Sequence, residues 1–157
     1  MLIREMGWQS SMALATRVGL GRLACSHEGQ PYITPMFLVP QGNHLYSFST
    51  VGRKIRWLRQ NPLVCVEFEE IVSSNDWATV IVTGRYEELL DIPEHREIRD
   101  TAYHLLSSRP EWWQPGYVKT ELENGVRDLE PLYFRIRIDE ITGHRTVKDA
   151  DTSNSTP

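Results

Sequence analysis

The chain is assembled from short runs that alternate apolar and polar residues, each closed by a cluster of Gly, Pro or Asn. A period of two marks half-buried strands and the punctuation marks turns, so these runs dictate a small antiparallel β structure. The stretch from His44 to Ser49 is the plainest, with Leu45, Ser47 and Ser49 on one face and Tyr46 and Phe48 on the other. Arg22 to Ser26 and Pro31 to Val39 read as strands on either side of a His27-Glu28-Gly29-Gln30 turn, and Pro40-Gln41-Gly42-Asn43 reads as the next turn. Joined this way, the three strands form a meander. Further strands are expected over Leu63 to Phe68, Trp77 to Leu89 and Leu132 to Ile141. Gly84 marks a bulge or bend in the second of these, and Asp139-Glu140 beside the third reads as a turn.

The period shifts to that of a helix at three places. Ser10 and Ser11 cap a helix from Met12 to Arg17, which Gly19 and Gly21 end. Between Gly52 and Gln60, Ile55, Leu58 and Arg59 recur at helical spacing until Asn61-Pro62 stops them. Pro93 opens a helix that carries Ile98, Ala102, Leu105 and Leu106, with Asp91 as its N-cap and Glu94 near the positive end of its dipole. The tally is about six strands with two or three short helices, a mainly β arrangement with α (α+β) that closes, or nearly closes, into a barrel with helices at its ends. With 157 residues, the chain reads as a single domain over 1–147 followed by a disordered polar tail over 148–157.

Composition narrows the function. A net charge of −4, with no basic face implied by the totals, argues against nucleic acid as the main partner. No stretch reaches the roughly 20 apolar residues that span a bilayer, and Met1 to Gly7 lacks the apolar core of a secretory signal, so a cytoplasmic location away from membranes is expected. Cys25 and Cys65 lie inside apolar runs and read as buried thiols rather than a disulfide. His27, His44, His95, His104 and His144 are scattered without ligand spacing, so no metal site is expected.

One segment carries chemistry. In Leu45-Tyr46-Ser47-Phe48-Ser49-Thr50-Val51-Gly52-Arg53-Lys54-Ile55-Arg56, a strand ends in hydroxyl residues, a glycine turns the chain, and a helix begins with adjacent cations. A helix N-terminus presents free N–H groups and a positive dipole end, which together form a phosphate site. Two cations in a first turn oppose that dipole at a cost of about 0.3–1 kcal/mol each, and a bound phosphate reverses the sign. Arg53 can grip two phosphate oxygens and Lys54 supplies a point charge. The plain alternative is a solvated basic helix face that Arg56 and Arg59 continue.

Gly21-Arg22-Leu23-Ala24, Gln30-Pro31-Tyr32-Ile33-Thr34-Pro35 and the Leu45–Lys54 segment occur in that order, followed by Asn61-Pro62-Leu63-Val64-Cys65-Val66, Thr79-Val80-Ile81-Val82-Thr83-Gly84-Arg85 and Ile138-Asp139-Glu140-Ile141-Thr142-Gly143. This set resembles the pyridoxamine 5′-phosphate oxidase-like family, in its flavin-nucleotide-binding branch that includes nitroimidazole-resistance-type proteins. The resemblance runs from about Leu2 to Arg145. It implies a Greek-key split β-barrel that forms a homodimer with FMN in clefts between the subunits. Carried over by position, Arg53 and Lys54 match the cation pair on the FMN phosphate and Ser47 a strand residue beside it, while Ser49 and Thr50 border the turn and Phe48 lies between them. Pro35, Met36 and Phe37 match the strand along the isoalloxazine edge, and Thr79 matches a polar residue that reaches the ring from the partner chain. Trp113, next to Trp112 in a Pro/Gly-rich loop, is a candidate to cover the cleft.

The implied activity is that of an FMN-dependent oxidoreductase on a small (hetero)aromatic substrate, with NADH or NADPH as donor. Gly143-His144-Arg145-Thr146-Val147 lacks the usual setting of the substrate-phosphate motif of the true oxidases, so pyridoxamine phosphate oxidation is not expected. Thr79 also stands where those oxidases carry a longer amide. A flavin-binding carrier or sensor without turnover, and a barrel that binds haem or a deazaflavin, remain as alternatives.

Overall fold

The computed structural model describes residues 1–109, 121–122, 125–126 and 131–148. Its main sheet has eight strands: β1 (Leu2–Met6), β2 (Leu20–His27), β3 (Gln30–Phe37), β4 (Val39–Gln41), β5 (His44–Thr50), β6 (Leu63–Ser73), β7 (Asp76–Leu89) and β10 (Pro131–Val147). Two short strands, β8 (Glu121–Leu122) and β9 (Gly125–Val126), pair separately. The helices are α1 (Trp8–Val18), α2 (Arg53–Gln60) and α3 (Arg96–Ser107), and a 3-10 turn over Pro93–His95 leads into α3.

The strand order is β3-β2-β6-β7-β10-β5-β4, with β1 on β10. The two outermost strands of that path, β3 and β4, are consecutive in the chain and separated only by Leu38. The sheet therefore curls until its ends are joined covalently, and the Ser47 hydroxyl on β5 donates to the Phe37 carbonyl across the seam at 2.6 Å. The expected barrel stands, but the meander does not: β5 pairs with β4 and β10, while β3 pairs only with β2.

Strand alternation sets the core. Leu23, Val66, Phe68, Val80, Val82, Leu45, Phe134 and Ile136 are fully buried inside the barrel. Into that core α1 inserts Leu14 and Ala15, and α2 inserts Ile55 and Leu58. A smaller cluster forms outside, where Ala102 of α3 packs on Tyr46 and Leu89.

Several boundaries moved for physical reasons. The first helix begins at Trp8, four residues before the expected start, with Gly7 as N-cap and no side-chain cap. Ser11, expected as a cap, is buried inside the helix. Gly19 does end α1, at φ +70°, whereas Gly21 belongs to β2. Asp91 does not cap α3; instead the Leu90 N–H donates to His95 Nδ1 at 2.9 Å. Asp139-Glu140 is no turn, because β10 continues to Val147 through a register shift between Ile138 and Glu140. That shift sits opposite Gly84, where a side chain would collide with the Arg137 carbonyl oxygen, so the glycine permits close approach and the irregularity belongs to its partner strand. Pro40 and Gln41, expected in a turn, form most of β4.

Candidate functional site

The N-terminus of α2 follows directly from β5. Gly52 is extended (φ −149°), and the first helical bond runs from Arg56 N–H to the Gly52 carbonyl at 3.1 Å. The N–H groups of Arg53, Lys54 and Ile55 thus point out of the helix without an intrahelical acceptor. Among the described residues no side chain caps this end, and its first turn holds no acidic residue. The Arg53 guanidinium lies 5.4 Å from the Tyr32 ring centroid on β3, a cation–π contact that holds an exposed cation in place. Lys54 lies near enough to the Cys25 thiol to oppose the upward shift that burial gives that group. Trp57 packs against Tyr32 and His27, which fixes the helix on the barrel end.

The other end of α2 is anchored as firmly. Arg59 makes two bonds to Glu88 on β7, at 2.8 and 2.7 Å, and Tyr86 donates to the same carboxylate at 2.9 Å. The Arg59 bonds hold the Glu88 carboxyl below its usual range. Burial, aided by the Glu88 carboxylate, pushes the Tyr86 hydroxyl above its usual range, so it stays a donor. Such a donor set, with N–H groups that the helix itself leaves without an acceptor, two adjacent cations and a rigid backing, suits a phosphate.

Of the expected hydroxyls, Ser47 and Ser49 fall inside the barrel, while Thr50 is half-buried on the alternate face with Phe48. Ser47 is fully buried with its proton on Phe37, and Ser49 is buried with a long 3.4 Å contact to the Thr50 carbonyl. Phe48 faces outward, edge-on to Tyr133 at 4.9 Å between centroids. On β3, Met36 points into the core while Pro35 and Phe37 lie on the outer face, and Phe37 is about 16 Å along the strand from Tyr32.

Thr79 is not brought to α2. It sits on the outer face of β7, two positions from Ile81, and pairs with Glu69 and His144. That outer face is unusually apolar: Ile33 is 60% exposed, Leu63 52% and Ile81 39%. The register places Ile33 beside Ala24, Cys65 and Thr83, and a shallow groove of about 490 Å³ runs over Ala24, Leu63, Cys65 and Thr83. Of the two expected buried thiols, Cys25 is buried and Cys65 is half-buried under this groove. Trp113 and Trp112 lie outside the described residues. Tyr32 is the site residue that sequence reasoning did not single out, although its place in the β3 run opposite an arginine-led helix was legible.

A curled antiparallel barrel, with a helix led by two adjacent cations at its end, defines a small split barrel. Residues 8–145 match the family described as pyridoxamine 5′-phosphate oxidase, and the chain belongs to that family. An uncharacterised protein of Rhizobium meliloti (strain 1021) is 37% identical over 143 residues, which cover 91% of this chain and 95% of that one. The crystal structure of a FAD-binding protein from Mesorhizobium loti is similar at 36% identity and a TM-score of 0.74, covering 92% of this chain and 97% of the other. A candidate 5-nitroimidazole antibiotic resistance protein from Bacteroides thetaiotaomicron shares the fold at 19% identity and a TM-score of 0.61, covering 92% of this chain and 89% of that one.

Proposed function

We propose that this chain is a flavin-binding oxidoreductase, holding FMN in clefts between the subunits of a homodimer. The observation that carries the reading is the start of α2, a helix end with no side-chain cap among the described residues, with Arg53 and Lys54 and no acidic residue in its first turn. Arg53, Lys54 and the first-turn N–H groups of α2 hold the flavin phosphate, with Ser49 and Thr50 at the bordering turn. Pro35, Met36 and Phe37 line the ring. Ser47, committed to the Phe37 carbonyl, keeps that strand in register with the phosphate site. Thr79 contributes from the second subunit, since it lies on the outer sheet face with Ile33, Leu63 and Ile81, which a second copy would cover. Phe48 and Trp113 complete the surround.

Bound flavin supplies the electron transfer, so the protein's work is to bind, orient and tune it. The substrate is a small (hetero)aromatic molecule, with NADH or NADPH as donor, in a cytoplasmic setting. Among the described residues no helix is long and apolar enough to cross a membrane. FAD is the second reading, favoured by the name of the Mesorhizobium loti relative at 36% identity; it shares the ribityl phosphate that α2 would bind. The test is the absorbance of the purified protein together with mass spectrometry of what heat releases. Flavin bands with an FMN mass support the reading, a FAD mass favours the second, and neither bands nor uptake of added flavin refutes both.

A further inference from the structure

Most arginines that face a strand are matched by a carboxylate: Arg17 by Glu70, Arg22 by Glu67 and Glu69, Arg59 by Glu88, Arg135 by Glu87. Two that lie near β3 are not. Among the described residues neither Arg53 nor Arg109 has a carboxylate within 4.0 Å, and they stand at opposite ends of that strand. Arg53 lies on Tyr32. Arg109 lies at the Phe37 end, where its Nη2 donates to the Thr16 carbonyl in the last turn of α1 at 2.8 Å. Its own N–H is tied to the Leu106 carbonyl at 3.1 Å, so both ends of the residue are fixed. The guanidinium and the Phe37 ring close on the same spot above Gly19: a Cβ built there would sit 3.3 Å from Arg109 Nη1 and 3.6 Å from the Phe37 ring. Gly19, at φ +70°, is thus the residue whose missing side chain leaves room for the cation near Phe37.

Phosphate chemistry accounts for Arg53 but not for Arg109, which is about 16 Å farther along the strand. We propose that Arg109 is the cation that stabilises the negative charge a flavin ring gains on reduction, and so sets the reduction potential of the bound cofactor. This inference rests on the flavin reading above, with the ring beside Pro35, Met36 and Phe37. Uptake of two electrons and one proton, the proton going to N5, leaves one negative charge shared by N1 and the C2 carbonyl. A fixed cation at the ring's edge favours that state over the neutral oxidised one, and charge near N1 is a recognised lever of flavin tuning. Among the described residues the Arg109 guanidinium bonds α1 through Nη2 alone. It acts on the potential, and no proton passes through it.

The competing role is structural, a cation closing the C-terminal end of α1. Arg109→Gln separates the two, because its amide can still donate to Thr16 while the charge is gone, and Arg109→Lys restores the charge. Flavin affinity is expected to change little in either variant. In a reductive titration against a reference dye, Arg109→Gln should shift the oxidised-to-reduced equilibrium about tenfold toward oxidised flavin, which is about 30 mV for a two-electron couple. Arg109→Lys should recover most of that shift. A Gln variant that holds flavin at the wild-type potential overturns the proposal. A second measurement needs no variant: the N1–H of reduced flavin on the wild-type protein should titrate at lower pH than in free reduced flavin, and an equal or higher value overturns the proposal too. A wild-type protein that takes up no flavin refutes the functional reading itself and this inference with it.

Discussion

Replacing Arg53 with alanine separates the stability of the empty protein from its affinity for phosphate. In the apo chain Arg53 sits in the first turn of α2, where a cation costs about 0.3–1 kcal/mol against the helix dipole. Its stacking on Tyr32 returns about 0.5–1 kcal/mol at an exposed site. The two terms nearly cancel, so the apo variant should melt within about 2 °C of wild type. With a phosphate bound the signs align, and the lost charge-assisted bond costs about 1.5–3 kcal/mol, which weakens the FMN dissociation constant about 10- to 150-fold. Riboflavin, the same ring and ribityl chain without phosphate, should bind both proteins alike. Fluorescence-quenching titrations of FMN and riboflavin, with differential scanning calorimetry of the apo proteins, provide the numbers. Equal losses for the two ligands would show that Arg53 does not read the phosphate.

Other substitutions probe the scaffold around the site. Ser47→Ala removes a fully buried donor from the Phe37 carbonyl, and an expected loss of about 1–3 kcal/mol should lower Tm by about 3–10 °C in a thermal melt. Gly84→Ala drives a methyl group into the Arg137 carbonyl and to 2.9 Å from Ile136 Cγ2, so a loss of about 3 kcal/mol or more is expected, seen as a lower urea midpoint or insoluble protein. Glu88 has a folded-state pKa below its unfolded value, so its stabilising effect is full above the unfolded pKa and fades as pH falls through the folded one. Glu88→Gln should therefore be less stable than wild type at pH 7, with the gap narrowing below about pH 4.5 in parallel melts; a gap independent of pH would mean that the Arg59 pairing contributes nothing.

The parts of the fold that were legible in the sequence are those in which neighbours in the chain are neighbours in space. The Glu28–Gly29 turn, with φ of +49° and +79°, joins β2 and β3 as the sequence indicated, and α2 lies within a residue of its expected bounds. Long-range pairing was not legible. Strand β1 shows no alternation, because all of Leu2 to Glu5 are exposed, and it exists only through pairing with β10, Leu2 opposite Val147. The meander was inferred from proximity in sequence, whereas closure of the barrel through Leu38 separates β3 from β5 in the hydrogen-bonded order. The candidate site divides in the same way. Arg53 and Lys54 are adjacent on one helix end and could be read locally. Arg109 comes to Phe37 only because α1, β3 and the residues after α3 converge at Gly19. Thr79 lies on the outer face of β7, 26 residues from Arg53 in sequence, so no local pattern could tie the two.

The position of β10 in the strand order bears on how the chain is made. It pairs with β1, β5 and β7, strands drawn from the start and the middle of the sequence. Until residues 131–147 have left the ribosome, β1 has no partner, β4-β5 is a lone hairpin, and β3-β2-β6-β7 ends in an unpaired edge. Earlier strands must wait for the last one, so the barrel cannot form progressively during synthesis. A stalled or truncated chain would display two open edges and much of the apolar core, the form a chaperone or protease would meet first.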